Sequence, residues 1–118
     1  MSQKILIVDD EPQIRVLLEI FLRKKGFQTL QAANAADALE VVKNDNDIDL
    51  VILDNRMPGT QGIDIVNTLR ELKKGVRILL LTGSISSEHK SVEVDAFMRK
   101  PVDLYKLLDS INSLLGQG

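Results

Sequence analysis

The chain contains no cysteine, which excludes disulfide frameworks, thiolate metal sites and cysteine nucleophiles and leaves the redox compartment open. It also lacks an excess of positive charge. A formal net charge of −2 at pH 7 gives no general basic footprint, so direct nucleic acid binding is not expected. Long apolar runs are missing too. The N-terminal run Ile5–Val8 is too short for a signal peptide and far too short to span a bilayer, so a cytoplasmic protein without a membrane segment is the expectation. Neither G-x-G-x-x-G nor G-x-x-x-x-G-K-S/T occurs, so the glycine-rich phosphate loop of a nucleotide binder is absent.

What remains is an ordinary globular composition, 44% hydrophobic and 27% charged, which argues against disorder. The length suits a single domain over residues 1–118 that buries a core of its own. The most informative stretch is Asp49–Pro58, DLVILDNRMP. Its apolar run Leu50–Leu53 is too short for a buried helix and suits a strand covered on both faces. The run stops at Asp54, and Pro58 and Gly59 then turn the chain outward. Ile5–Val8 repeats the pattern and ends in Asp9 and Asp10; Val76–Leu81 repeats it again and ends in Thr82 and Gly83. Phe27–Ala32 and Ala96–Met98 read as weaker strands, the first of them suited to a sheet edge.

Helical patterns lie between these strands. Pro12 suits the first turn of a helix whose apolar face is Ile14, Leu17, Leu18 and Phe21 and which Lys24, Lys25 and Gly26 close. Asn34 caps a second helix with the stripe Ala35, Ala38, Leu39 and Val42. Ile65, Val66, Leu69 and Leu72 mark a third, which stops at Lys73, Lys74 and Gly75. The clearest is the last, with Asp103 as N-cap, Leu104, Leu107, Leu108, Ile111, Leu114 and Leu115 on one stripe, and Gly116 as terminator. The serine-rich stretch from Ser84 to Val94 has few apolar residues, so any helix there would be short, and it is expected to be the most mobile part of the fold.

Five strands alternating with helical patterns imply βαβ units wound into a parallel sheet with helices on both faces. The flavodoxin-like order 2-1-3-4-5 makes strands one and three neighbours at the point where the winding reverses, and brings Asp9, Asp10 and Asp54 to one edge. Three carboxylates within about 4 to 6 Å repel one another by a few kcal/mol per pair at an effective dielectric near 20. A divalent cation removes that cost, and a set of oxygen ligands favours a hard ion such as Mg²⁺. Thr82 and Lys100 reach the same edge from strands four and five, adding a hydroxyl donor and a cation suited to a phosphoryl group.

These motifs resemble the receiver domain of bacterial two-component response regulators over essentially the whole chain. The matching residues are Asp9-Asp10 after ILIV, Asp54 within LVILDNRMPG, Thr82 within LLLTG, and Lys100-Pro101 within DAFMRKP. The resemblance implies that Asp54 takes a phosphoryl group from the phosphohistidine of a histidine kinase or phosphotransfer protein. It implies that Asp10 and Asp54 ligate Mg²⁺, with Asp9 acting through water and the Arg56 carbonyl completing the set, and that Thr82 and Lys100 bind phosphoryl oxygens. It further implies a cis Lys100–Pro101 bond, an inward turn of Phe97 on activation, an output partner that reads the change, and a monomer or phosphorylation-dependent dimer. Such a domain is not an enzyme; it assists only its own phosphoryl transfer and dephosphorylation. Two departures stand out. Glu93 and Val94 occupy the region where the family has a glycine or alanine pair, and the interval from Thr82 to Lys100 is about one helical turn short.

Other classes fit less well. A haloacid-dehalogenase-like phosphatase needs a second acid two residues after the first, where this chain has Arg56. A receiver fold that only binds partners has no need of the full acidic, hydroxyl and lysine set.

Overall fold

The computed structural model describes residues 2–57, 59–83 and 94–116. Five strands, β1 (Lys4–Val8), β2 (Gln28–Ala32), β3 (Ile48–Asp54), β4 (Arg77–Thr82) and β5 (Ala96–Arg99), form one parallel sheet in the order β2-β1-β3-β4-β5. Four helices are described: α1 (Pro12–Lys24), α2 (Ala35–Asn44), α3 (Val66–Leu72, entered through a 3₁₀ turn at Gly62–Ile65) and α4 (Leu104–Leu114). This is the flavodoxin-like doubly wound architecture that the strand and helix pattern requires. The expectations for Ser84–Glu93 lie outside the described residues.

The three central strands are continuous apolar runs because helices cover them on both sides. Leu6, Val8, Val51, Leu53, Ile78 and Leu80 pack towards α2 and α3, while Ile5, Ile7, Leu50, Ile52, Leu79 and Leu81 pack towards α1 and α4. Each of these side chains is fully buried, which contributes roughly 1.5–3 kcal/mol apiece relative to exposure. The strand ends that form the site are held from both faces by this core.

The caps follow their residue types. Asn34 accepts from the Asp37 amide, and Asp103 accepts from the amides of Tyr105 and Lys106. Gly26, Gly75 and Gly116 take up positive φ at the ends of α1, α3 and α4. Two positions depart from the apolar stripes expected of them. Leu17 is 50% exposed, and Leu22 joins Leu18 in the core in its place. Apolar residues ring so much of α1, from Ile14 through Leu22, that periodicity alone does not fix which line faces the sheet. Leu72, the last residue of the short helix α3, is also exposed.

Candidate functional site

Four strand ends build the site. The β1 chain leaves the sheet at Asp9, whose amide still donates to the Ala32 carbonyl of β2. The Asp9 carboxylate is fully buried; Oδ1 accepts from the Glu11 amide (2.9 Å), which fixes its rotamer at the start of α1. Arg15, one turn into that helix, donates from Nη1 to the Asp9 carbonyl oxygen (2.6 Å) and from Nε to Gln31 (3.0 Å). The acidic corner is therefore strapped to both α1 and β2.

Asp54 closes β3 beside Leu81 of β4 and is 2% exposed. Its Oδ1 accepts a long bond from the Arg56 amide (3.4 Å). The loop after it is folded back by Asn55, whose side-chain Oδ1 accepts from the Ile63 amide and whose carbonyl accepts from the Gly62 amide, both at 2.9 Å. Ligand oxygens of Asp9, Asp10 and Asp54 lie within 4.8 Å of one another, with Asp10 the most accessible of the three.

The cation comes from the far edge of the sheet. Lys100 follows β5, its amide donates to the Thr82 carbonyl (2.9 Å), and its ammonium lies 3.1 Å from Asp54 Oδ1 and 3.3 Å from Asp9 Oδ2. The Lys100–Pro101 peptide is cis. Thr82 itself ends β4, buried, one residue beyond the register partner of Asp54. Phe97 sits on β5, partly buried against the cluster beneath α2 and α3. The arrangement thus gathers Asp9, Asp10, Asp54, Thr82 and Lys100 at one sheet edge, with Arg56 contributing backbone beside them.

The charges strain one another. Burial, then the neighbouring Asp9 charge, push the Asp54 carboxyl up to about 6, against the opposing pull of Lys100 and the Arg56 amide. For Lys100, burial works against the charged form, but its bond to Asp54 and the fields of Asp54 and Asp9 outweigh it and raise the pKa. One ammonium thus pairs with two carboxyl groups of a cluster of three. The donor set fits Mg²⁺ on chemistry: it is oxygen-only, clustered, and short of positive charge.

With this geometry in place, sequence comparison decides the family. The model of the response regulator receiver domain matches residues 5–112. The chain belongs to that family. Among curated relatives, this receiver is 37% identical to sporulation initiation phosphotransferase F of Bacillus subtilis, over 98% of the chain and 95% of that protein. It is 34% identical to regulatory protein VanR of Enterococcus faecium over 98% of the chain but only 51% of that protein. The receiver thus spans nearly all of one relative and about half of the other. Its fold matches a CheY-like receiver domain protein from Methanospirillum hungatei with a TM-score of 0.93 at 27% identity, covering 99% of this chain and 96% of that one. Chemotaxis protein CheY4 of Vibrio cholerae gives 0.89 at 29%, covering 98% and 100%. Receiver domains are signalling modules of two-component systems, which accept phosphoryl groups and use acidic residues to bind Mg²⁺. Among the described residues no helix is long and apolar enough to cross a membrane.

Sequence patterns did not point to Arg15, Asn55 or Gly62. Their contacts follow no periodic pattern, although a glycine eight residues after the strand-end acid was a usable hint.

Proposed function

We propose that Asp54 is the phosphoacceptor of this receiver and takes its phosphoryl group from the phosphohistidine of a histidine kinase or phosphotransfer protein. The observation that carries the reading is the buried Asp54 carboxylate, with Asp9 and Asp10 oxygens within 4.8 Å and the Lys100 ammonium at 3.1 Å. An Asp54 oxygen attacks phosphorus, the N–P bond breaks, and the imidazole leaves with that electron pair. Lys100 meets the charge on the transferring oxygens, and Thr82 supplies a hydroxyl donor from the next strand end. Asp10, Asp54 and the Arg56 carbonyl would hold Mg²⁺, with Asp9 behind them; bound there, the ion neutralises charge on the phosphoryl oxygens.

The whole chain then acts as one cytoplasmic receiver module, residues 1–118, that touches neither membrane nor nucleic acid directly. Phosphorylation draws Thr82 towards the new oxygens and favours an inward Phe97, shifting an existing equilibrium that an output partner, or a second copy in a dimer, reads. The module is not an enzyme; apart from its own phosphoryl transfer and hydrolysis it turns nothing over.

Incubation with acetyl phosphate and Mg²⁺, followed by intact-mass spectrometry, tests the assignment. One phosphoryl group is expected on the wild type, with none in EDTA and none on Asp54→Ala. Full labelling of Asp54→Ala would overturn it.

A further inference from the structure

We propose that Asp95 is a positioning residue that sets the register of β5 and, through it, the reach of Lys100 to Asp54. The inference rests on the reading of Lys100 as part of the phosphoryl-binding set. The strand that delivers Lys100 is the weakest in the sheet: β5 is a four-residue edge strand with no fully buried residue. Phe97 meets one core cluster and Ala96 and Met98 meet the other, all only partly covered. Apolar burial therefore specifies its register poorly.

Asp95, immediately before the strand, supplies what burial does not. Its amide donates to the Ile78 carbonyl (2.9 Å), and its Oδ2 accepts from the Ile78 amide (2.8 Å), so both backbone groups of one β4 residue close on Asp95. Arg70 of α3 donates to the same Oδ2 (2.9 Å) and Arg77 of β4 to Oδ1 (3.3 Å). Arg70 is itself fixed by donating to the Val76 carbonyl (3.0 Å). Desolvation offsets much of the attraction in a partly buried ion pair; its proposed role here is to select one geometry.

The other end of β5 is tied by the Lys100 amide to Thr82. Between the two ties run about five residues of extended chain, roughly 16 Å. A slip of one residue shifts the chain by about 3.3 Å and turns alternate side chains to the opposite face. The 3.1 Å approach of Lys100 to Asp54 does not survive that. Asp9 and Asp10 follow β1 and Asp54 ends β3, so they are untouched by it.

The test uses the full chain with acetyl phosphate and Mg²⁺, following Asp54 labelling by intact mass for wild type, Asp95→Ala, Arg70→Gln, Lys100→Ala and the double variants. Asp95→Ala and Arg70→Gln are expected to label about tenfold more slowly, as a displaced catalytic group implies, with Mg²⁺ affinity by calorimetry unchanged. In the Lys100→Ala background neither is expected to slow labelling further. Wild-type labelling by Asp95→Ala, or the same slowing with Lys100 already removed, would overturn the role of Asp95 and leave the phosphoacceptor reading standing. If Lys100→Ala alone labels like wild type, the reading of Lys100 falls and this inference with it. Should Asp95→Ala fail to fold by circular dichroism, Arg70→Gln, which leaves β5 intact, decides by the same criteria.

Discussion

Gly62 lies so close to the end of β3 that a β-carbon placed on it would collide with the Asp54 carbonyl oxygen and come within 2.9 Å of Leu53 Cγ. The first of these is backbone and cannot swing aside. Gly62→Ala is therefore expected to push the loop away from Asp54 and to cost about 1–3 kcal/mol, as overpacking does. Urea denaturation measures the loss. The same variant should label more slowly with acetyl phosphate, because the proposed acceptor Asp54 is displaced.

Asp54→Asn tests the crowding of like charge. Burial and Asp9 make the ionised Asp54 costly, so a neutral amide of the same shape should stabilise the metal-free protein by about 1 kcal/mol, a rise of several degrees in Tm. Lost attraction to Lys100 offsets part of the gain. Mg²⁺ is expected to raise the wild-type Tm by binding the folded state, and to raise that of the variant much less. Thermal melts at pH 7 with EDTA and with Mg²⁺ make both comparisons.

The Arg70–Asp95–Arg77 cluster gives a pH dependence of known sign. Burial alone would raise the Asp95 pKa, but the Ile78 amide, Arg70 and Arg77 outweigh it and hold the carboxyl below its usual range. A carboxyl lowered on folding contributes stability above its unfolded value, about 3.9, and loses it as pH falls through the folded value. The stability difference between wild type and Asp95→Asn, about 1 kcal/mol at pH 7, should thus persist to about pH 4 and vanish below it. Urea midpoints of the two proteins from pH 7 to pH 3 provide the check; a gap that widens on acidification would refute the sign.

Much of the site was legible because strand-end acids, hydroxyl and lysine each follow an apolar run, and a parallel sheet sends all those ends to one edge. Asp9, Asp54, Thr82 and Lys100 could be placed from that rule alone. The phase of α1 could not, because Val16, Leu17 and Ile20 are as apolar as the residues that face the core, yet each is half exposed. Nor could the supports. Gly62 against Asp54 is a close approach that leaves no periodic trace, and Asp95 meets Arg70 across 25 positions of sequence. Both are tertiary facts. The stretch from Ser84 to Glu93 is outside the described residues, so the expectation of mobility there stays a matter of its composition.

The ion pair between Asp9 and Lys100 joins residues 91 positions apart. During synthesis, at roughly 5–20 residues per second, the acidic corner exists for seconds before its cation leaves the ribosome. Until then the nascent chain carries three carboxylates with no ammonium to offset them, and the strand that will bring it is the least buried of the sheet. On the proposed assignment, a chain ending before β5 lacks the Lys100 ammonium and is expected not to hold a phosphoryl group in a completed clamp.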